Sequence, residues 1–465
     1  MSAVDRAWLR MESVENPMMI SGVLILDQPI TLKRLKRVFN ERFLCFRRFR
    51  QRVVQQGDKV FWQDDPLFDI DNHIHTIALP GKGTQQDLQQ LVSDLNSTPL
   101  DFNRPLWQMH YIDRYDGGCA LLIRIHHCIA DGISLVRVLL SLTDPTPDAK
   151  VHHIVPIKEA ARSRTLGLQQ FARRVIDSGQ TALEQGRLFM QSVAREPDYP
   201  IKLASAAGNI ALDLVKLGLA PFEPRTGLKR ALSGRKRVAW ATPLSLAEVK
   251  LCARSLNGTV NDVLLSVVTA AVHRHFLATG EAIPPCGIRV AVPFNLRPLN
   301  KPIETLGNQF GLVLVTLPVE VTDPIMRFRQ VQENMNRLKR SYQAQVTYSL
   351  LDLFGQGPDM LERRAMKLLS HKASAVLTNV PGPKEPVYLA GARLKQPMFW
   401  VPQSGDIGIG MSVLSYAGTV QFGITLDKSI QADPEALTGY FRESFAELLE
   451  RATRHGSVTG KQDAG

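Results

Sequence analysis

At 465 residues, 44% hydrophobic and 22% charged, the chain is long enough for two or three domains with buried cores, and its composition is ordinary for a globular protein. Its five cysteines (Cys45, Cys119, Cys128, Cys252 and Cys286) are odd in number, widely spaced and without a CxxC. They read as reduced, mostly buried thiols of a cytosolic protein rather than a disulfide framework. The net charge of +12 suits nucleic acid, an anionic membrane or a phosphorylated ligand, but no helix-turn-helix, zinc or RNA-binding signature accompanies it, which sets nucleic acid aside.

Met1 to Arg10 carries Asp5, Arg6 and Arg10 without an apolar core, so no secretory signal is expected, and no window of about 18 apolar residues predicts a membrane span. Residues 1–145 alternate short extended runs with helices. Ser21–Asp27, Lys59–Asp64 and Leu106–Asp113 read as strands, and Thr31–Phe43 as a helix with Leu32, Leu35, Val38 and Phe39 on one face and Thr31 as N-cap. Basic residues cluster in Glu41–Arg52 and again in Pro224–Arg237, and are expected on the surface, facing an anionic lipid surface or a phosphorylated ligand. Residues 146–236 read as a connector with helices, including the apolar stretch Leu203–Phe222, which suits a buried or an interfacial helix, with burial or lobe packing favoured.

From residue 237 to 455 a second half is expected. Leu244–Gly258 reads as a helix ended by Gly258, and Val260–Gly280 as a long buried helix. Strands follow at Ile288–Leu296, Phe310–Val319, Ser374–Gly382, Gly410–Gly418 and Thr419–Asp427, then an amphipathic helix at Asp433–Thr453 and a frayed tail at 456–465. Strands mixed with helices in both halves predict an α/β (α+β) protein of two lobes with a cleft between them.

The most informative run is HHCIADG, His126 to Gly132. It follows the strand-like Cys119–Ile125 and precedes Ile133–Leu142, which has the apolar density of a buried helix. A histidine at a strand end, at a tight turn into a helix, is well placed to act as a base in a cleft. Successive strand side chains point to opposite faces, so His126 and His127 cannot converge on one metal; one faces a reactant and the other is structural. Asp131 is expected to fix the turn rather than serve as a second base, and Gly132 to permit positive φ or close backbone approach. His152–His153 lacks the Asp and Gly at matching offsets and carries no such expectation. Cys128 lacks an activating arrangement for a nucleophile.

HHCIADG resembles the signature of the CoA-dependent acyltransferase superfamily, and the surrounding landmarks resemble its bacterial wax ester synthase/diacylglycerol acyltransferase branch. These are NPMMISG, PLW (Pro105–Trp107), NDVLLSVV from Asn261, VPFNLRP (Val292–Pro298), LGNQFGLVLVTLP (Leu306–Pro318), LTNVPGP (Leu377–Pro383) and GIGMSVLSYAGTVQFGITLD ending at Asp427. They run in the family's order along the whole chain. One departure is Met19, where the family often has histidine.

The resemblance implies two chloramphenicol-acetyltransferase-like lobes with a tunnel between them, an acyl-CoA co-substrate, no metal or other cofactor, and a fatty alcohol or diacylglycerol acceptor. His127 would be the general base, with His126, Asp131 and Gly132 in support. Arg50 or Arg297 would pair with Asp131, with Arg50 favoured by analogy with condensation domains. Asn261 and Asp262 would cap a helix or brace the lobes, Pro105–Trp107 would be structural, and Ser412 is a candidate oxyanion donor. Peripheral contact with an anionic membrane or lipid inclusion, on the cytoplasmic side, follows from lipid substrates and basic charge. The alternatives are another HHxxxDG acyltransferase or condensation enzyme, and a catalytically inactive lipid-binding relative.

Overall fold

Nine consecutive residues, Gly118–His126, are buried on both faces of their strand, which is why this stretch reads as a continuous apolar run. The strand pairs antiparallel with Met19–Leu26 on one side (Met19 opposite His126) and Trp107–Tyr115 on the other (Trp107 opposite Ile125). The computed structural model describes the chain except residues 58, 82, 149–157, 160–220, 297–304, 340, 342, 357–358 and 463–465. The sheet runs in the order Ile74–Ala78, Trp107–Tyr115, Gly118–His126, Met19–Leu26, Ala392–Trp400, Tyr388–Leu389, Thr143–Asp144. A second sheet runs Leu244–Ser245, Thr419–Asp427, Ile409–Tyr416, Ala375–Pro381, Ile288–Asn295, Phe310–Leu317, with Lys236–Trp240 also paired to Thr419–Asp427. The helices Val260–Thr279 and Pro434–Gln462 pack on this second sheet; Val268, Phe441 and Phe422 share its core.

The strand and helix expectations hold in kind for the elements named, but the halves are not separate. Tyr388–Leu389 and Ala392–Trp400 belong by sequence to the C-terminal half, yet they complete the first sheet. The 237–455 unit therefore lends strands to its neighbour. Where the sheets cross, a Cβ on Gly423 would lie 2.5 Å from Met398 and 2.9 Å from Trp400, so that position admits no side chain without a shift.

Three further expectations are corrected. The last helix extends through Gln462, across most of the segment expected to fray. Asn257, not Gly258, takes the left-handed turn after helix Leu246–Ser255 (φ 51°). Gly258 is instead required by packing, because a Cβ there would sit 2.4 Å from the Phe328 ring. The basic runs are partly consumed inside the fold. Arg42 pairs with Asp144 at 2.9 Å, Arg48 lies over the Trp62 ring, and Arg237 donates to the Ile430 and Ala432 carbonyls. Lys229 donates to the carbonyls of Ser370 and Ala373, and Lys236 to Asn16 and the Glu15 carbonyl. Burial pulls both lysines down to about 8.

Most of the 146–236 connector, including Leu203–Ala220, lies outside the described residues; Lys158–Glu159 pairs parallel with Thr305–Leu306. No single described helix is long and apolar enough to cross a membrane. Cys119, Cys128 and Cys252 are buried, Cys45 half-buried and Cys286 exposed, all as free thiols.

Candidate active site

His127 is the first residue beyond the central strand, and its backbone is held on both sides. Its N–H donates to the Met18 carbonyl at 2.7 Å, and its carbonyl accepts from Asn308 Nδ2 at 2.9 Å. The two motif histidines part as strand geometry requires. His126 is fully buried, accepts from the Cys128 N–H at Nδ1 (3.0 Å) and turns Nε2 toward the Glu12 carboxylate at 3.3 Å. His127 lines a cavity, and its ring stacks on Trp8 (centroids 4.0 Å, 17° between planes), with Phe310 tilted beside both rings (5.5 Å from His127, 5.6 Å from Trp8).

Nδ1 of His127 is buried and makes no well-formed hydrogen bond, which leaves Nε2 as the nitrogen open to the cavity. Burial pulls the imidazole down from 6.5 to about 4, opposed by the Asp131 carboxylate, its own carbonyl and Asn308 and reinforced by His126. The ring is therefore neutral at pH 7 and has a free lone pair to offer.

Asp131 fixes the turn by three bonds. It is the N-cap of helix Gly132–Ser141, accepting from the Ser134 N–H at 2.8 Å, while its other oxygen accepts from the Gln309 N–H at 3.0 Å and its own N–H reaches the Gly307 carbonyl at 3.4 Å. The carboxylate thus clamps the LGNQFG segment of the second half against the motif. Of its two expected arginine partners, Arg50 is corrected. It is exposed at the end of a short turn, with its charge acting on Asp64 and Cys45, and no ion pair joins it to Asp131. Arg297 lies outside the described residues. Gly132 is also corrected in part: its φ is not positive, and a Cβ there would meet no protein atom within 4 Å. It lines the cavity, so its missing side chain leaves room for a ligand.

The cavity opens to solvent, spans about 760 Å³ including its mouth, and lies between the halves: Trp8, His127, Asp131 and Gly132 face Phe310, Thr378, Asn379 and Phe399. A second, almost wholly apolar cavity of about 640 Å³ adjoins it through Leu312, Val376 and Ser404 and runs on past Leu350, Leu351, Met366 and Leu369.

Ser412 does not serve this cavity. Its hydroxyl is buried and donates to the Phe399 carbonyl, tying the two sheets together. The residue opposite it on the neighbouring strand, Thr378, lines the cavity, and its hydroxyl makes only a long 3.4 Å bond to the Met411 carbonyl. Asp262 closes a capping box with Thr259 at the start of helix Val260–Thr279, and Asn261 accepts from Asn379 at 2.7 Å, beside the cavity. Trp107 is fully buried, donates to the Phe49 carbonyl and stacks on His73, a structural role. Burial raises the Cys128 thiol well above its usual value, so it is no nucleophile at neutral pH. Among the described residues no group of His, Cys, Asp and Glu could hold a metal ion.

The sequence reading missed the N-terminal helix Ala3–Arg10, which brings Trp8 and Asp5 to the site, and Asn308, which joins Asp5 to the His127 backbone. The available signal was the spacing Val4, Ala7, Trp8, an apolar face onto which Asp5 intrudes.

Residues 1–264 match the wax ester synthase/diacylglycerol acyltransferase catalytic domain, and residues 306–449 the C-terminal domain of the same family. The chain belongs to the wax ester synthase/diacylglycerol acyltransferase family. It is an acyltransferase. The Mycobacterium tuberculosis protein named "Probable diacyglycerol O-acyltransferase tgs1" is 28% identical over 477 residues, covering 100% of this chain and 98% of that one. The M. tuberculosis protein named "Probable diacyglycerol O-acyltransferase tgs2" is 28% identical over 90% of this chain and 92% of its own. Among solved structures, the wax ester synthase/diacylglycerol acyltransferase from Marinobacter aquaeolei VT8 superposes with a TM-score of 0.66 at 22% identity, covering 97% of this chain and 98% of that one. The first condensation domain of the CDA synthetase follows at a TM-score of 0.60, 15% identity and coverage of 97% and 95%. These two likenesses show a shared two-lobed fold.

Proposed function

We propose that this enzyme transfers a long-chain acyl group from acyl-CoA to the hydroxyl of a fatty alcohol or a diacylglycerol, forming wax ester, triacylglycerol or both. The observation that carries the reading is a neutral, buried histidine whose open nitrogen meets a cavity that shares Leu312, Val376 and Ser404 with an almost wholly apolar one. An alcohol is a poor nucleophile while it keeps its proton. His127 Nε2 removes that proton as the oxygen attacks the thioester carbonyl, which is worth on the order of 10² to 10⁴ in rate. The tetrahedral intermediate collapses by breaking the C–S bond, and the proton held on His127 passes to the departing thiolate. The thioester is already activated, so no acyl-enzyme is needed.

Thr378 is the donor suited to the oxyanion, since it lines the cavity with a hydroxyl only weakly engaged elsewhere. The contiguous apolar walls match alkyl chains, whose burial is favourable by roughly 0.8 kcal/mol per CH₂. Such substrates reside in membranes or lipid inclusions. The net charge of +12 suits peripheral contact with their anionic surfaces from the cytoplasmic side.

The test is release of CoA from palmitoyl-CoA with hexadecanol or a diacylglycerol, with identification of the lipid product, beside His127→Ala. Ester formation that collapses in the variant supports the reading, and the product names the acceptor. Unchanged turnover in His127→Ala overturns the base assignment. Flotation with anionic liposomes at low salt tests the membrane contact, which fails if no protein floats.

A further inference from the structure

The catalytic motif sits in one strand and turn, but the groups that touch His127 most closely come from elsewhere. Trp8, buried on the N-terminal helix, covers one face of the imidazole at 4.0 Å. One turn earlier on that helix, the buried Asp5 carboxylate accepts from Asn308 Nδ2 at 2.9 Å, and the same nitrogen donates to the His127 carbonyl. The other Asp5 oxygen faces Arg48 Nη1 at 3.5 Å, itself buried. Just beyond the helix, Glu12 accepts from the Met18 N–H, next to the carbonyl that holds the His127 N–H, and faces His126.

A buried carboxylate is costly unless it is paired and hydrogen-bonded. Asp5 meets that condition through Arg48 and through Asn308, and the Asn308 bond leads on to the motif. Docking this helix by apolar contact alone would need Val4 and Ala7, not a charge aimed at the second half's Asn308.

We propose that the N-terminal helix is part of the catalytic machinery, with Trp8 and Asp5 as positioning residues that hold the His127 ring and backbone in reactive geometry. Trp8 fixes the ring plane and keeps water off one face. Asp5 orients the Asn308 amide so that the His127 carbonyl is pinned to the second half of the chain. The inference rests on His127 being the base. Misplacement of a catalytic group by about 1 Å costs on the order of 10² in rate.

The experiment compares full-length Trp8→Ala, Trp8→Phe and Asp5→Ala with wild type, His127→Ala and Leu9→Ala, measuring kcat and KM separately and the pH dependence of kcat/KM. Leu9 lies on the same helix and packs on the core, so it reports the effect of loosening the helix. Trp8→Ala and Asp5→Ala are expected to lower kcat by about 10²-fold with KM little changed. Trp8→Phe, which keeps an aromatic face, should recover most of that loss. In Trp8→Ala water reaches the imidazole, and the acid limb of kcat/KM should move upward, toward the ordinary histidine value. The charged and titratable groups around the ring are Asp131, His126, Asp5, Glu12 and Arg48, and Trp8→Ala alters none of them.

Wild-type kcat in folded Trp8→Ala, or a loss equalled by Leu9→Ala at matched thermal stability, overturns the inference. If Trp8→Ala is poorly folded, Trp8→Phe and Asp5→Ala decide by the kcat-against-KM split. Unchanged turnover in His127→Ala would instead overturn the functional reading beneath it.

Discussion

Asp131 Oδ2 accepts the backbone N–H of Gln309 at 3.0 Å while Oδ1 caps helix Gly132–Ser141 through Ser134, so one carboxylate locks the catalytic turn to the opposite half of the chain. Asp131→Ala removes both bonds and leaves the buried Ser134 N–H and the part-buried Gln309 N–H without these acceptors. Loss of the cap alone costs about 1 kcal/mol, and each buried donor left unmade costs a further 1–3 kcal/mol. Asp131→Asn keeps an acceptor oxygen and should preserve more of the stability. Thermal melts of the two variants decide this; equal melting temperatures for Asp131→Ala and wild type would refute the clamp.

Burial of neutral histidines gives a pH signature whose sign is fixed. His127 is pulled down to about 4 and His110, buried beside Arg124, to about 3, both by desolvation first. Between these values and about 6.5 the unfolded chain binds protons that the folded chain does not. Stability is therefore full above about 6.5 and falls as the pH drops toward 4. For His127 the whole effect is on the order of 3 kcal/mol, about 2 of it by pH 5. Urea midpoints at pH 7.5 and pH 5 should differ accordingly, and His110→Phe should flatten the slope; an unaltered slope in that variant excludes His110 as a contributor. For catalysis the same shift predicts kcat/KM level from pH 8 to about 5, with its acid limb near 4 rather than 6.5.

Gly132 and Gly258 separate two uses of glycine. A Cβ at Gly132 meets no protein atom within 4 Å, whereas one at Gly258 would lie 2.4 Å from Phe328. Gly132→Ala should be neutral or stabilising by up to about 1 kcal/mol, while Gly132→Val should crowd the cavity and raise KM. Gly258→Ala should lower the melting temperature and leave KM alone. The reverse pattern would mean that Gly132 serves the turn and not the cavity.

These contrasts show what the sequence could convey. Elements with strong period or punctuation, such as Thr419–Asp427 and Val260–Thr279 with Gly280 after it, are written locally and are found where expected. Strand parity likewise separated His126 from His127. The exchange of Ala392–Trp400 into the first sheet is a pairing of distant segments, and no local pattern specifies a partner. Arg50 failed for a related reason: a basic run looks the same whether its members face solvent, as Arg50 does, or turn inward, as Arg42 and Arg48 do. Trp8 and Asp5 were hidden because an eight-residue amphipathic helix gives no sign of what it packs against.

Thr378 and Ser412 stand opposite each other on adjacent strands, and the choice between them as oxyanion donor turns on where each hydroxyl is engaged. Ser412 is spent on the Phe399 carbonyl between the sheets, so Ser412→Ala leaves that part-buried acceptor short of a partner and should cost about 1 kcal/mol of stability with kcat near wild type. Thr378 faces the cavity and gives up only a 3.4 Å bond, so Thr378→Val keeps the shape of the side chain and should change stability little. If its hydroxyl meets the developing oxyanion, kcat should fall by about 10² to 10³, with KM for acyl-CoA largely preserved because the ground-state carbonyl gains less from it. Steady-state kinetics with both variants, read beside their thermal melts, discriminate the roles. Wild-type kcat in Thr378→Val would remove Thr378 as the donor and leave a backbone N–H of the motif turn as the group to test next.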